Sequence, residues 1–183
     1  MRIKDKTMIS RALPMPHQKN NKFYTDVSPM IMNWHQTLSA AIDFLFENNN
    51  RVPQETLPVI QTDLSRFASG EKQGFNTTWL GHSSLMINMD RFKILLDPVF
   101  EPKLSMVGPK RFNGPLPLVI EALPPIDLVI ISHDHYDHLN KFSIQAIQEK
   151  TGLFMVPLGV EKHLSAWGMP PPKDRLPQLV GVP

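Results

Sequence analysis

Apolar positions along the chain change their period repeatedly, and each change predicts a different element. Ile31, Trp34, His35, Leu38, Ala41, Ile42 and Leu45 recur at helical spacing to about Asn48. Ser28-Pro29 supplies a capping side chain followed by a first-turn proline, so the helix is expected to open there. His35 lies on the apolar stripe and reads as a partnered core or boundary histidine rather than a ligand. Residues 51–74 form a proline-interrupted connection with one helical turn around 63–68. The pattern then shortens. Strands over 76–80, 84–89 and 93–96, separated by Gly81-His82-Ser83 and Asp90-Arg91, make an antiparallel meander. Residues 98–126, heavy in Pro and Gly, read as loop. Residues 128–132 are almost wholly apolar and β-branched, which marks a short buried strand. A helix over 141–150, a strand over 153–156 and a helix over 159–167 follow. Strand, helix, strand, helix after a meander predicts an α/β fold with a mixed sheet and flanking helices. Residues 1–27 show no sustained period and are expected to be a flexible arm. Residues 28–170 form the domain, and 171–183 an irregular tail without a strand.

The strand at 128–132 runs into three histidines and two aspartates within six positions, His133-Asp134-His135-Tyr136-Asp137-His138. Imidazole and carboxylate suit zinc and related transition metals, and a strand end is a rigid place to hold them. His133, His135, Asp137 and His138 are too close in the chain to surround one ion easily. Two adjacent ions, one taken by each pair, resolve this.

Composition narrows the classes. With 42% hydrophobic residues the chain can bury a core, and a net charge of +2 makes no case for nucleic acid. The charge is uneven: residues 1–22 hold six basic residues and one acid, Asp5. Such an arm is either solvated or able to touch an anionic membrane surface. The absence of cysteine removes disulfides, thiolate metal sites and cysteine nucleophiles, and fits a reducing compartment. No apolar run approaches the roughly 20 residues of a membrane span, and the start lacks a hydrophobic signal core. A cytoplasmic location is expected, with peripheral membrane association as the alternative.

His133-x-His135-x-Asp137-His138 after a buried strand, preceded by Trp79-Leu80-Gly81-His82-Ser83-Ser84 and Leu95-Leu96-Asp97-Pro98, resembles the metallo-β-lactamase superfamily. The similar branch contains N-acylphosphatidylethanolamine-hydrolysing phospholipase D and RomA-like proteins. Gly108-Pro109-Lys110-Arg111-Phe112, Leu123-Pro124-Pro125-Ile126-Asp127 and Val156-Pro157-Leu158-Gly159 fit that branch too. The resemblance covers residues 67–170. It implies an αββα sandwich of two αβ halves, of which this chain would be the first. It implies two zinc ions, one held by His133 and His135 and one by Asp137 and His138, with zinc-activated water attacking a phosphodiester, phospholipid-like ester or lactone. His82 is carried over as a pocket-side residue and, like Asp137, as a catalytic one; a turn histidine packing the strand end is the competing reading. Asp97 either supports the ligand loop by hydrogen bonds or simply ends its strand.

Family members are longer and take further ligands from their second half: a histidine, a bridging aspartate and a last histidine. Here only His163 follows the motif, in a predicted helix, where an exposed histidine is expected. The resemblance also fades after Met169, as a frameshift or premature stop would produce. Two readings stay open. The chain is the amino-terminal part of a zinc hydrolase whose activity belongs to a longer product, or it is an inactive half-domain, either vestigial or an interaction or outer-membrane-associated RomA-like protein. An exposed sheet face is expected to make the chain self-associate.

Overall fold

A computed structural model describes residues 18–19, 22–23, 32–46, 53–68, 74–103, 111–112, 114, 116–169 and 178–182. The chain divides into two compact units, Met1–Gln54 and Glu55–Pro183.

In the first unit, β1 (Gln18–Lys19) and β2 (Lys22–Phe23) form a two-residue antiparallel ladder inside the stretch expected to be a flexible arm. Helix α1 spans Trp34–Phe46. Asn33 caps it: its side chain accepts the Gln36 N–H at 2.9 Å while Gln36 accepts the Asn33 N–H at 2.9 Å. This reciprocal pair satisfies two N-terminal donors at once. The helix therefore begins after Asn33, not at Ser28-Pro29, which lie outside the described residues. His35 is exposed, with its ring centroid 3.5 Å from that of Trp34. The expectation of a core histidine fails because the stripe itself, at Trp34, Leu38 and Ile42, is exposed.

The second unit opens with the short helix α2 (Ser65–Ala68), at the predicted helical turn. Strands β3 (Phe75–Gly81), β4 (Ser84–Met89) and β5 (Phe92–Leu96) form the expected antiparallel meander. Strand β6 (Ile126–Ile130) pairs parallel with β5, and β7 (Thr151–Pro157) parallel with β6. Helix α3 (Lys141–Ile147) lies between β6 and β7, and α4 (Glu161–Ala166) follows β7. The helix expected over 141–150 splits, because a 3-10 turn takes Gln148–Lys150. Strand β8 (Gln178–Val182) pairs parallel with β7 and completes a six-stranded sheet in the order β3-β4-β5-β6-β7-β8. The tail expected to be irregular thus contains a strand. The short run Leu179-Val180 between prolines was weak evidence alone, but the edge of β7 offers unpaired backbone groups that such a segment satisfies.

Register sorts the side chains. Leu95, Val129 and Phe154 are neighbours across β5, β6 and β7 and share one face. They are essentially fully buried, in one cluster with Ile144 and Ile147 of α3 and Leu164 of α4. The fold class read from the sequence stands: α/β, with a mixed sheet and flanking helices.

Candidate metal centre

The C-terminal ends of the parallel strands β5 and β6 lie side by side, where open α/β sheets place their sites. Asp97 is the first residue beyond β5 and has φ 41°, a left-handed conformation that side chains rarely adopt. Its N–H still bonds the Ile130 carbonyl at 2.9 Å, so the turn is tied to β6. Ser84 fixes it from the other side, donating its hydroxyl to the Asp97 carbonyl at 2.7 Å and accepting the Val99 N–H at 3.0 Å. The buried Asp97 carboxylate accepts the Ser132 N–H and the Ser132 hydroxyl, each at 2.7 Å, and meets His138 Nδ1 at 2.9 Å. Ser132 leaves the sheet ladder for this contact, which is why β6 ends at Ile130 rather than at residue 132. With Nδ1 turned to the Asp97 carboxylate, His138 presents Nε2 on its other side, 3.8 Å from Asp137 Oδ2. Asp97 therefore supports the ligand loop, and does more than end a strand.

The motif folds into a tight turn: the N–H groups of His138 and Leu139 both bond the His135 carbonyl, at 2.9 and 2.7 Å. Asn140 closes it. Its Oδ1 accepts the Ser143 N–H and hydroxyl at 2.9 and 2.7 Å, capping α3, and its Nδ2 donates to Glu101 at 2.6 Å.

His82 arrives from the β3–β4 turn, also left-handed at φ 48°. The Trp79 indole N–H bonds its carbonyl at 2.8 Å. Arg111 binds that turn to the segment after Asp97, donating to the Leu80 carbonyl at 2.7 Å and to the Val99 carbonyl at 2.6 Å. Burial lowers the pKa of this guanidinium. His82 Nε2 lies 2.9 Å from Asp137 Oδ2, and His138 Nε2 lies 3.8 Å from the same oxygen. Burial pushes the Asp137 carboxyl up. A bond from its backbone, the His82 hydrogen bond and the charges of His138 and His82 outweigh this and hold it below its ordinary value.

His82, Asp137 and His138 each present one ligand atom, all within 4.8 Å of one another. His133 stands beside them, its Nδ1 2.9 Å from the Ser132 hydroxyl and its ring centroid 3.9 Å from that of His138. His135 is exposed, 4.6 Å from His133 between ring centroids. All five predicted residues thus gather at one strand end: Asp137 stands beside His138 and His133 beside His135, and His82 joins the first of these pairs. His163 is exposed on α4, its Nε2 3.8 Å from Asp134 Oδ2, as expected for a histidine outside the ligand set. Arg111 and the serines at 84 and 132 were not singled out in the sequence as site residues. Arg111 stood within a quoted motif, but its partners lie 31 and 12 positions away. Two imidazoles, one oriented by a buried carboxylate, and one carboxylate are a donor set that fits a divalent transition metal.

Residues 93–182 match the profile of the beta-lactamase superfamily domain. An uncharacterised protein of Mycobacterium tuberculosis is 37% identical over 131 residues, covering 69% of this chain and 34% of that protein. The N-acyl-phosphatidylethanolamine-hydrolyzing phospholipase D 1 of Caenorhabditis elegans is 34% identical over 127 residues, covering 67% of this chain and 35% of that one. A metal-dependent hydrolase of Sulfolobus acidocaldarius is 31% identical over 89 residues, covering 48% and 34%. The chain belongs to the metallo-β-lactamase superfamily. Within it, the chain falls in the branch that includes N-acyl-phosphatidylethanolamine-hydrolysing phospholipase D. It spans about a third of the length of the curated relatives it matches.

Proposed function

We propose that this chain carries part of the metal centre of a zinc-dependent hydrolase acting on phosphodiester bonds of phospholipid-like substrates. The observation that carries the reading is the convergence of His82, Asp137 and His138 on a strand end braced by buried Asp97. These residues would hold a divalent ion, which when bound would supply Lewis-acid polarisation of a substrate oxygen and a lowered pKa for water. The chain's own residues supply the rest. Asp97 orients His138, Ser132 ties His133 to the same carboxylate, and Asn140 holds the loop's exit. His133 and His135 would serve a second ion. A groove of about 600 Å³ flanks β3, its apolar lining (Leu57, Ile60, Phe67, Trp79) broken by the polar Gln61, Thr62, Asp63 and Thr78.

We take turnover to need more ligands than these residues provide, because misplacing the reacting atoms by about 1 Å can cost on the order of 10²-fold. The test uses the zinc-loaded chain, a chromogenic phosphodiester and vesicles of an N-acylated phosphatidylethanolamine. The 183 residues should show no zinc-dependent turnover above background. A longer version carrying a relative's remaining sequence should gain it and lose it again with Asp137→Ala. Turnover by the short chain, dependent on His133, His135, Asp137 and His138, would show that it is complete, with two chains sharing one site as the first explanation to examine. No turnover by the longer version would sink the hydrolase assignment.

A further inference from the structure

We infer that His82 is a metal ligand, completing with Asp137 and His138 a three-ligand divalent-cation site. The inference rests on the metal reading above and extends it, since the family resemblance gives the second ion only Asp137 and His138 from this part of the chain. The first observation is the geometry: one nitrogen from each ring and one carboxylate oxygen lie within 4.8 Å of one another. Ligands about 2.0–2.2 Å from a shared ion stand at such separations or slightly less.

Independent observations concern how His82 is held. It occupies a left-handed position at φ 48° that glycine would take more readily, and such strain persists where the surroundings enforce it. Three contacts do so. The Trp79 indole holds the His82 carbonyl, Arg111 holds the Leu80 carbonyl two residues earlier, and Ser84 two residues later is anchored to Asp97. The ring is more than a third exposed, at 42%, so packing does not explain its placement. Arg111 also reaches Val99, two residues beyond Asp97, so one guanidinium clamps the segments that deliver His82 and the brace of His138. Two histidines and a carboxylate with an open position form a donor set used by catalytic zinc, and by ferrous iron in oxygenases.

The competing role for His82 is that of a hydrogen-bond donor to Asp137, holding the carboxylate without touching the ion. Titration of the metal-free 183-residue chain with Zn²⁺ against a chromophoric chelator separates the two. His82→Asn suits the left-handed turn and is the variant safest for folding. His82→Gln can still donate to Asp137 but is a poor ligand. Both should weaken the tightest Zn²⁺ site by about 100-fold, at or beyond the upper range for losing a mere supporting partner, while circular dichroism stays that of the wild type. The Co²⁺ complex should also change its visible absorption in both. Wild-type affinity in His82→Gln would overturn the inference and leave His82 a positioning residue. Wild-type affinity in both His82 variants, with binding lost in Asp137→Ala and His138→Ala, would remove only the third ligand. Wild-type affinity in all four would remove this cluster as the tight metal site and with it the inference.

Discussion

At the centre of the six-stranded sheet both faces are apolar, yet they lead different lives. On one, Leu95, Val129 and Phe154 stand in a row across β5, β6 and β7, essentially fully buried against α3 and α4. On the other, the neighbouring row of Leu96, Ile130 and Met155 is only half-buried, as are Leu85, Ile87 and Ile94. Towards the outer strands of that second face, Trp79, Met89 and Phe92 are exposed. A strand covered on one side only normally alternates apolar with polar residues, and these do not. The difference teaches that composition alone does not distinguish a sealed face from an open one. Asp97 follows a strand whose Leu95 is sealed on the helical side.

The sharpest way to break this contrast is to truncate adjacent residues that point in opposite directions. Phe154→Ala should cost about 3–5 kcal/mol, whereas Met155→Ala should cost about 1 kcal/mol. Urea denaturation of the metal-free chain measures both, and equal costs would erase the distinction between the faces. Next in size is the brace at the strand end. Asp97→Ala strands the Ser132 donors and frees His138, and should cost about 2–3 kcal/mol together with a 10- to 100-fold loss of Zn²⁺ affinity, approximately. Asp97→Gly suits φ 41° and should recover about 1 kcal/mol of that stability but none of the affinity. Recovery of affinity would mean that the turn, not the carboxylate, orients His138. The smallest effect is expected on the open face. Met89 and Phe92 are cross-strand partners there, and the double variant Met89→Lys, Phe92→Glu should shift stability by about 0.5 kcal/mol while reducing the fluorescence of a hydrophobic dye. A wild-type chain that binds no such dye would show that this face is covered in solution.

Local pattern determined much of this protein. The meander, the buried strand before the histidines, α3 with Asn140 as its cap, and the chemistry of the motif all follow from periodicity, turn residues and ligand types within a few positions of one another. Most of what escaped the sequence depended on partners far along the chain. The start of α1 is the exception: Asn33 and Gln36, three positions apart, satisfy each other and set it. Strand β8 was illegible because a short apolar run becomes a strand only when an edge such as that of β7 is waiting for it. The grouping of the site was hidden for the same reason: His82 and Asp137 are 55 positions apart, and Asp97 and His138 are 41. Ligand identity is a property of side-chain chemistry, which sequence carries directly. Ligand partnership is a property of which strand ends the sheet brings together, and only the tertiary structure decides that.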